Sequence, residues 1–156
     1  MADEQPIDLR ARALEVVEAE MYLVLGTVSP AGESWTCPVW FAHDGLDRFF
    51  WLSRPYRAHS VNLTARSRVS FVIFNSRQPT GVGLAVYASA DARVVPDDEL
   101  DNALSIVSPR SVAHGGRAWD RERLEPLPLE LYEADPVELW LNPGEGTDIR
   151  ERVPSA

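Results

Sequence analysis

Between Tyr22 and Ser53 the chain sets three strand-forming runs end to end with only turn residues between them. No other feature constrains the fold as much. Residues 21–29 (MYLVLGTVS) are rich in strand formers and stop at Pro30-Ala31-Gly32. Residues 33–43 (ESWTCPVWFAH) resume the pattern, and two-residue alternation puts Trp35, Cys37, Val39 and Phe41 on one face. Asp44-Gly45 then marks a turn before residues 48–53 (RFFWLS). Connections this short impose antiparallel pairing, because a parallel crossover needs about a dozen residues or more.

The remaining chain continues this logic. Residues 68–75, 84–95 and 127–142 read as further strands, the last interrupted or kinked at Pro136, and residues 148–153 as a short final one. Residues 8–21 read as a helix capped by Asp8, with Leu9, Ala13, Val16 and Val17 on one face. Residues 55–65 and 96–107 are further helices, and residues 108–125, with Pro109, Gly115 and Gly116, read as short helical pieces and loops. The expectation is a mainly β, α+β fold: a six-stranded antiparallel split β-barrel with peripheral helices. At 156 residues it is expected to be one domain spanning residues 1–156, since two would each bury too little surface.

Composition narrows function by exclusion. The net charge is −9, and all 15 basic residues are arginine. Such a chain lacks the basic face that nucleic acid or an anionic membrane requires. No apolar run approaches the roughly 20 residues of a membrane helix. The first residues are acidic where a secretion signal is basic, and Cys37 is the single cysteine, so a cytoplasmic location is expected. His43, His59 and His114 show no metal-ligand spacing, and neither a serine-hydrolase elbow nor a dinucleotide-binding glycine pattern occurs. No metal site and no catalytic side chain is assigned; a bound cofactor would carry any hard chemistry.

One stretch stands out. Residues 53–60 (SRPYRAHS) leave a strand end and enter a helix, bringing Ser53, Arg57, His59 and Ser60 beside backbone N–H groups at the helix start. That is a combination able to cradle a phosphate.

The segments LVLGTVSPAGESWTCPVWFAHDG, RFFWLSRPYRAHSVNL and ARSRVSFVIFNS, in this order, resemble the pyridoxamine 5′-phosphate oxidase-like, FMN-binding split-barrel family. VSPRSVAHGGRAW is similar to an actinobacterial-type branch of it. The resemblance implies a homodimer with two FMN molecules in clefts between subunits. Cys37, Pro38, Val39 and Trp40 would line the flavin ring, mostly through backbone, and Ser53 would contact its phosphate. The family's basic pair falls on Ala58 and His59, so Arg57, His59 and Ser60 would supply that grip. Asn75 and Ser76 would approach the flavin, Trp140 of the Glu138-Leu139-Trp140 segment would reach it, and Arg152 would contact it. Two departures matter. Leu84 and Ala85 replace a flavin-binding glutamine, and Asp148-Ile149-Arg150 replaces the substrate-binding arginine and histidine, which argues against pyridoxamine-phosphate oxidase activity. The implied function is an FMN-dependent oxidoreductase of a small-molecule substrate. The alternatives are a reductase using the deazaflavin F420, and a non-catalytic flavin- or haem-binding protein.

Overall fold

In the computed structural model, residues 7–144, 146 and 149–155 are described. The first two strands form the expected hairpin: β1 (Tyr22–Val28) and β2 (Ser34–Trp40) pair antiparallel over their whole length. Gly32 takes φ +89° in the turn, a backbone region where a side chain would be strained. Burial along β2 rises toward its end: Trp35 is exposed, Cys37 half-buried, and Val39 buried.

At Phe41 the predicted second strand breaks. Its continuation, β3 (Ala42–Asp44), leaves β1 and pairs instead with β4 (Arg48–Ser53). Then follow α2 (Ala58–Ala65), β5 (Arg68–Phe74), β6 (Ala85–Val94), α3 (Leu100–Ala113), α4 (Arg121–Leu124), β7 (Glu130–Asn142) and β8 (Glu151–Arg152); α1 (Leu9–Ala19) precedes them all. The sheet order is β2-β1-β5-β6-β7-β4-β3, with β8 on β7, and all pairings are antiparallel. The sheet curls into the α+β split barrel expected from the sequence, but with eight strands among the described residues rather than six. The break at Phe41 makes two strands of one, and β8 is short but paired. In β7 the register against β6 skips Val137, next to Pro136, which lacks the N–H a regular ladder needs.

Two apolar clusters hold this frame. The barrel interior holds Leu23, Leu25, Phe41, Phe49, Trp51, Phe71 and Tyr132, with Phe49 and Phe71 rings 4.8 Å apart and Trp51 stacked on Tyr132 at 5.8 Å. Ala13, Val16 and Val17 of α1 pack on the same cluster, as their spacing predicts. Phe50 points the other way and joins Leu131, Leu104 and Val107 under α3. Both faces of β4 are therefore covered, which accounts for its unbroken apolar run.

The helix α3 runs six residues past its predicted end, through Pro109. A proline inside a helix forfeits one hydrogen bond, and tertiary anchors compensate. Arg110 donates from Nε to the Phe41 carbonyl (3.2 Å) and from Nη2 to the carbonyls of Val17 (3.1 Å) and Glu20 (2.8 Å). Glu18 faces its Nη1 at 3.4 Å. The end of α1, which has no basic residue in its own last turn, thus receives a cation from α3. The last turn of α3 closes with Gly115 N–H on Val112 and Gly116 N–H on Ser111, a glycine-terminated cap that fixes His114.

Arg110→Ala would leave three inward-facing carbonyls without their donor. Hydrogen bonds to charged groups contribute about 1.5–3 kcal/mol each. We expect urea unfolding to show a loss of about 3 kcal/mol or more, and Arg110→Lys to recover only part of it, because one ammonium cannot span the three acceptors.

Candidate cofactor cleft

Where β2 ends, beside the exit of β4 and the start of α2, lies a cleft of about 440 Å³. That falls within the usual range of small-molecule sites, about 300–1,000 Å³. Pro38, Val39 and Trp40 come from β2, Ser53 from the end of β4, Arg57 from the N-cap of α2 and His59 from its first turn. These are six of the predicted site residues. Cys37 and Ser60 lie directly behind them. Cys37 Sγ is 3.2 Å from His59 Nδ1, His59 Nε2 is 2.7 Å from Ser53 Oγ, and Ser60 Oγ donates to Ser53 Oγ at 3.2 Å. Ser60 is only 1% exposed, so it contributes through Ser53 rather than at the surface.

Sequence reasoning missed several residues of the cleft. Arg54, Leu52, Trp119 and Leu129 also line it. Arg54 and Arg57 lie over the exposed ring of Tyr56, with guanidinium carbons 6.0 and 5.7 Å from its centroid, and Arg54 Nη1 donates to the Tyr56 hydroxyl at 2.9 Å. An arginine two residues before Tyr56 was visible in the sequence; only the turn at 54–57 shows that it shares the cleft. Trp119 is held by its N–H on Ser108 Oγ of α3 (2.7 Å), a contact no local pattern announces. His114 does not line the cleft but is tied to it, and it too was missed. Trp40 Nε1 donates to His114 Nδ1 at 3.2 Å, tying the cleft wall to the end of α3.

Burial lowers the pKa of His59, and the nearby Arg57 lowers it further. The imidazole is therefore neutral near neutral pH, and the positive charge of the cleft comes from Arg54 and Arg57. Burial pushes the Cys37 thiol up, with a hydrogen bond to Trp35 opposing.

The other four predicted residues lie elsewhere. Asn75 closes its own turn, accepting from Arg77 N–H at 2.8 Å, and Ser76 follows it in the loop after β5. Arg152, on β8, faces Glu138 at 3.3 Å. Trp140, on β7, lines a second cleft of about 660 Å³ with Val24, Val72, Tyr87 and Arg150. Arg150 stacks 4.2 Å above the Tyr87 ring; Asp148, read with it from the sequence, lies outside the described residues. At the position of the missing glutamine, Gln78 reaches in from the preceding loop and bonds both the N–H and the carbonyl of Leu84 (3.1 Å each).

Register connects the two clefts. Pro38 pairs with Val24, Val24 with Val72, Val72 with Tyr87, Tyr87 with Trp140, and Trp140 with Arg152. Directly paired residues share a sheet face, so this row crosses the outer surface from the first cleft to β8. Thr36 and Pro38, two residues apart on β2, line the second and first clefts respectively.

Comparison with known proteins agrees with this architecture. The family described as Pyridoxamine 5'-phosphate oxidase matches residues 9–142, and the chain belongs to it. No curated protein sequence matches the chain. Among solved structures, a haem-binding protein from Mycobacterium smegmatis superposes with a TM-score of 0.72 at 16% identity, over 96% of this chain and 59% of that one. HutZ, the haem storage protein from Vibrio cholerae, gives 0.67 at 17% identity, over 86% and 95% of the two chains. An F420 reductase gives 0.59 at 17% identity, over 86% and 97%. At such identities these likenesses establish the fold. Among the described residues, no helix is long and apolar enough to cross a membrane.

The Trp40–His114 bond makes a pH prediction. His114 Nδ1 accepts a proton-bearing nitrogen, so the bond exists only with the imidazole neutral, and burial first, then Arg110, lowers the His114 pKa. His43 and His59 are lowered as well, mainly by burial. With lowered pKa values the unfolded chain binds protons first as pH falls. Stability is therefore full above the ordinary histidine value of 6.5 and declines below it, until the lower folded-state values are passed. Unfolding free energies measured from pH 7.5 to 5.5 should fall, and His114→Gln, whose amide oxygen can accept from Trp40, should reduce the slope. An unchanged slope would mean that His114 does not carry this dependence.

Proposed function

We propose that this chain is an FMN-binding oxidoreductase of a small-molecule substrate, working as a homodimer whose cofactor lies between subunits. The observation that carries the reading is the first cleft: its anionic end is provided for and its walls are apolar and aromatic. The helix α2 starts at Ala58, and its N-cap, Arg57, makes no side-chain hydrogen bond to the first turn. Backbone N–H groups, the helix dipole and the guanidiniums of Arg54 and Arg57 therefore converge where a phosphate would lie. Ser53, held by His59 and Ser60, adds a neutral hydroxyl behind them. Pro38, Val39, Trp40, Leu52 and Trp119 offer the flat, water-excluding surface an isoalloxazine ring needs. When bound, the flavin supplies hydride transfer, while the protein orients it and limits solvent access. The single unpaired cysteine suits a reducing compartment such as the cytoplasm.

The dimer reading rests on the outer row. Val24, Val72, Tyr87 and Trp140 are only half-buried, and Tyr22 and Phe74, on the same face of β1 and β5, are exposed. A second copy seated there would cover this surface and bring its Trp140, Arg152, Asn75 and Ser76 toward the cofactor, in the roles the family pattern gives them. The F420 reductase and the haem proteins among the similar structures define the rival occupants.

Titration with FMN, F420 and haem decides between them. The expected result is one FMN per subunit with the two visible flavin bands; haem or F420 binding without FMN would overturn the assignment. Arg57→Ala should weaken FMN by roughly ten- to a hundred-fold, the equivalent of one charged hydrogen bond at 1.4 kcal/mol per decade. Riboflavin, which lacks the phosphate, should bind nearly as before, and equal losses for both would place the phosphate elsewhere.

Light scattering should return twice the subunit mass at micromolar concentration. Val72→Arg, which puts a charge in the middle of the outer row, should shift the protein to monomer and weaken FMN with it. A variant that stayed dimeric would locate the interface on another face.

A further inference from the structure

Beside the cofactor cleft, α3 and the chain that returns along it border a separate groove of about 710 Å³. The stretch that builds it, residues 107–119, stood out in the sequence, yet only its Trp119 lines the cofactor cleft. The reversal of the chain depends on two glycines. Gly115 takes φ +79°, and a side chain on Gly116 would begin 2.6 Å from Ser111 Oγ and 3.0 Å from the Ser111 carbonyl oxygen. The chain therefore turns tightly against the helix, and Ser108 Oγ accepts the Trp119 N–H at 2.7 Å. Leu104, Pro109, Val112, Ala113 and Trp119 form apolar walls, and Val112 is 53% exposed.

The polar groups of this groove are short of donors. Pro109 has no N–H to give the Ser105 carbonyl one turn earlier, so that acceptor lacks its regular helical partner. Ser105 Oγ donates to the Asn102 carbonyl at 2.6 Å, and Ser108 Oγ serves Trp119. Asp101 and Asp120 add carboxylates at one end. Arg121 is the cation of the lining, but its guanidinium is divided between Asp101 and Asp97. An occupant that fits brings its own donors and positive charge to that end, and a flat apolar body to the walls.

We propose that this groove is a second ligand site, for small aryl-alkyl ammonium compounds. The ring would pack on Trp119, Pro109 and Val112, with the ammonium toward Asp101, Asp120 and the Ser105 carbonyl. The cofactor cleft presents the opposite sign through Arg54 and Arg57, so the two cavities select different ligands while sharing one wall, Trp119. The inference does not rest on the FMN reading, since the groove's other lining residues take no part in the cofactor cleft.

The test is calorimetric titration at neutral pH with three matched probes: naphthylmethylamine, the neutral naphthylmethanol and the anionic naphthoate. The amine should bind once per subunit, the alcohol about ten-fold or more weaker, as loss of a charged hydrogen bond predicts, and naphthoate weaker still. In a nitrogen–proton correlation spectrum the amine should move the Trp119 indole signal, identified by its loss in Trp119→Phe, and leave that of the buried Trp51 in place. Asp101→Asn, which leaves Arg121 its Asp97 partner, should weaken the amine about ten-fold and spare the alcohol. Val112→Arg, a cation at an exposed position of the groove, should weaken the amine at least as much. Absence of amine binding, equal affinity for the three probes, or shifts at other indoles without one at Trp119 would overturn the proposal. So would a fall in the mass seen by light scattering on Val112→Arg, since a second copy would then be what covers the groove.

Discussion

Arg110 is the constraint on which the rest of the arrangement depends. Its guanidinium binds the carbonyl at Phe41, where the second strand breaks, and the two carbonyls that end α1. It also lies over the Phe41 ring at 5.1 Å. Without that contact three separate defects would each need another solution: an interrupted strand, an uncapped helix terminus, and a helix continuing past its proline. One planar, permanently charged group with several donors meets all three, which an ammonium could not. Among the described residues its acidic partner is Glu18, and its other three acceptors are neutral carbonyls.

The position of α3 has consequences at the cleft. Arg110 and the Gly115 cap fix the end of the helix, His114 at that end accepts from Trp40, and Ser108 on the same helix holds Trp119. Two aromatic walls are thus set by a helix that contributes no charged group to the cleft lining. The opposite wall is set by the sheet: β4 ends at Ser53, the chain turns at residues 54–57, and α2 starts with its first N–H groups unclaimed by a side chain.

Much of this was legible in the sequence, and what was missed has identifiable causes. The antiparallel order followed from turn residues spaced by strand lengths, and Asp8 caps α1 as its position predicts, accepting from Arg10 and Ala11 N–H. The grouping of Ser53, Arg57, His59 and Ser60 was visible because these residues are close in sequence. Strand count failed at Phe41, because residues 33–43 alternate without interruption and only tertiary partners end the pairing there. The end of α3 failed at Pro109, where local propensity favours a stop and the Arg110 contacts override it. Arg54 and Trp119 were missed as lining residues, and His114 as the partner of Trp40, because these placements are set by a turn and by contacts across 11 and 74 residues, which no local pattern encodes.

The cleft also separates charge from neutral polarity. Arg54 and Arg57 sit at its rim, where water lowers the penalty of holding two cations near each other, and both guanidiniums lie over the Tyr56 ring. Behind them Cys37, His59, Ser53 and Ser60 form a chain with no formal charge, so it can be buried without the desolvation penalty that a lysine or arginine would carry at the position of His59. Burial holds His59 below the ordinary histidine value, so it stays neutral there near neutral pH. Positive charge is thus confined to the two arginines at the rim, and the inner position is held by a side chain that can both donate and accept a proton.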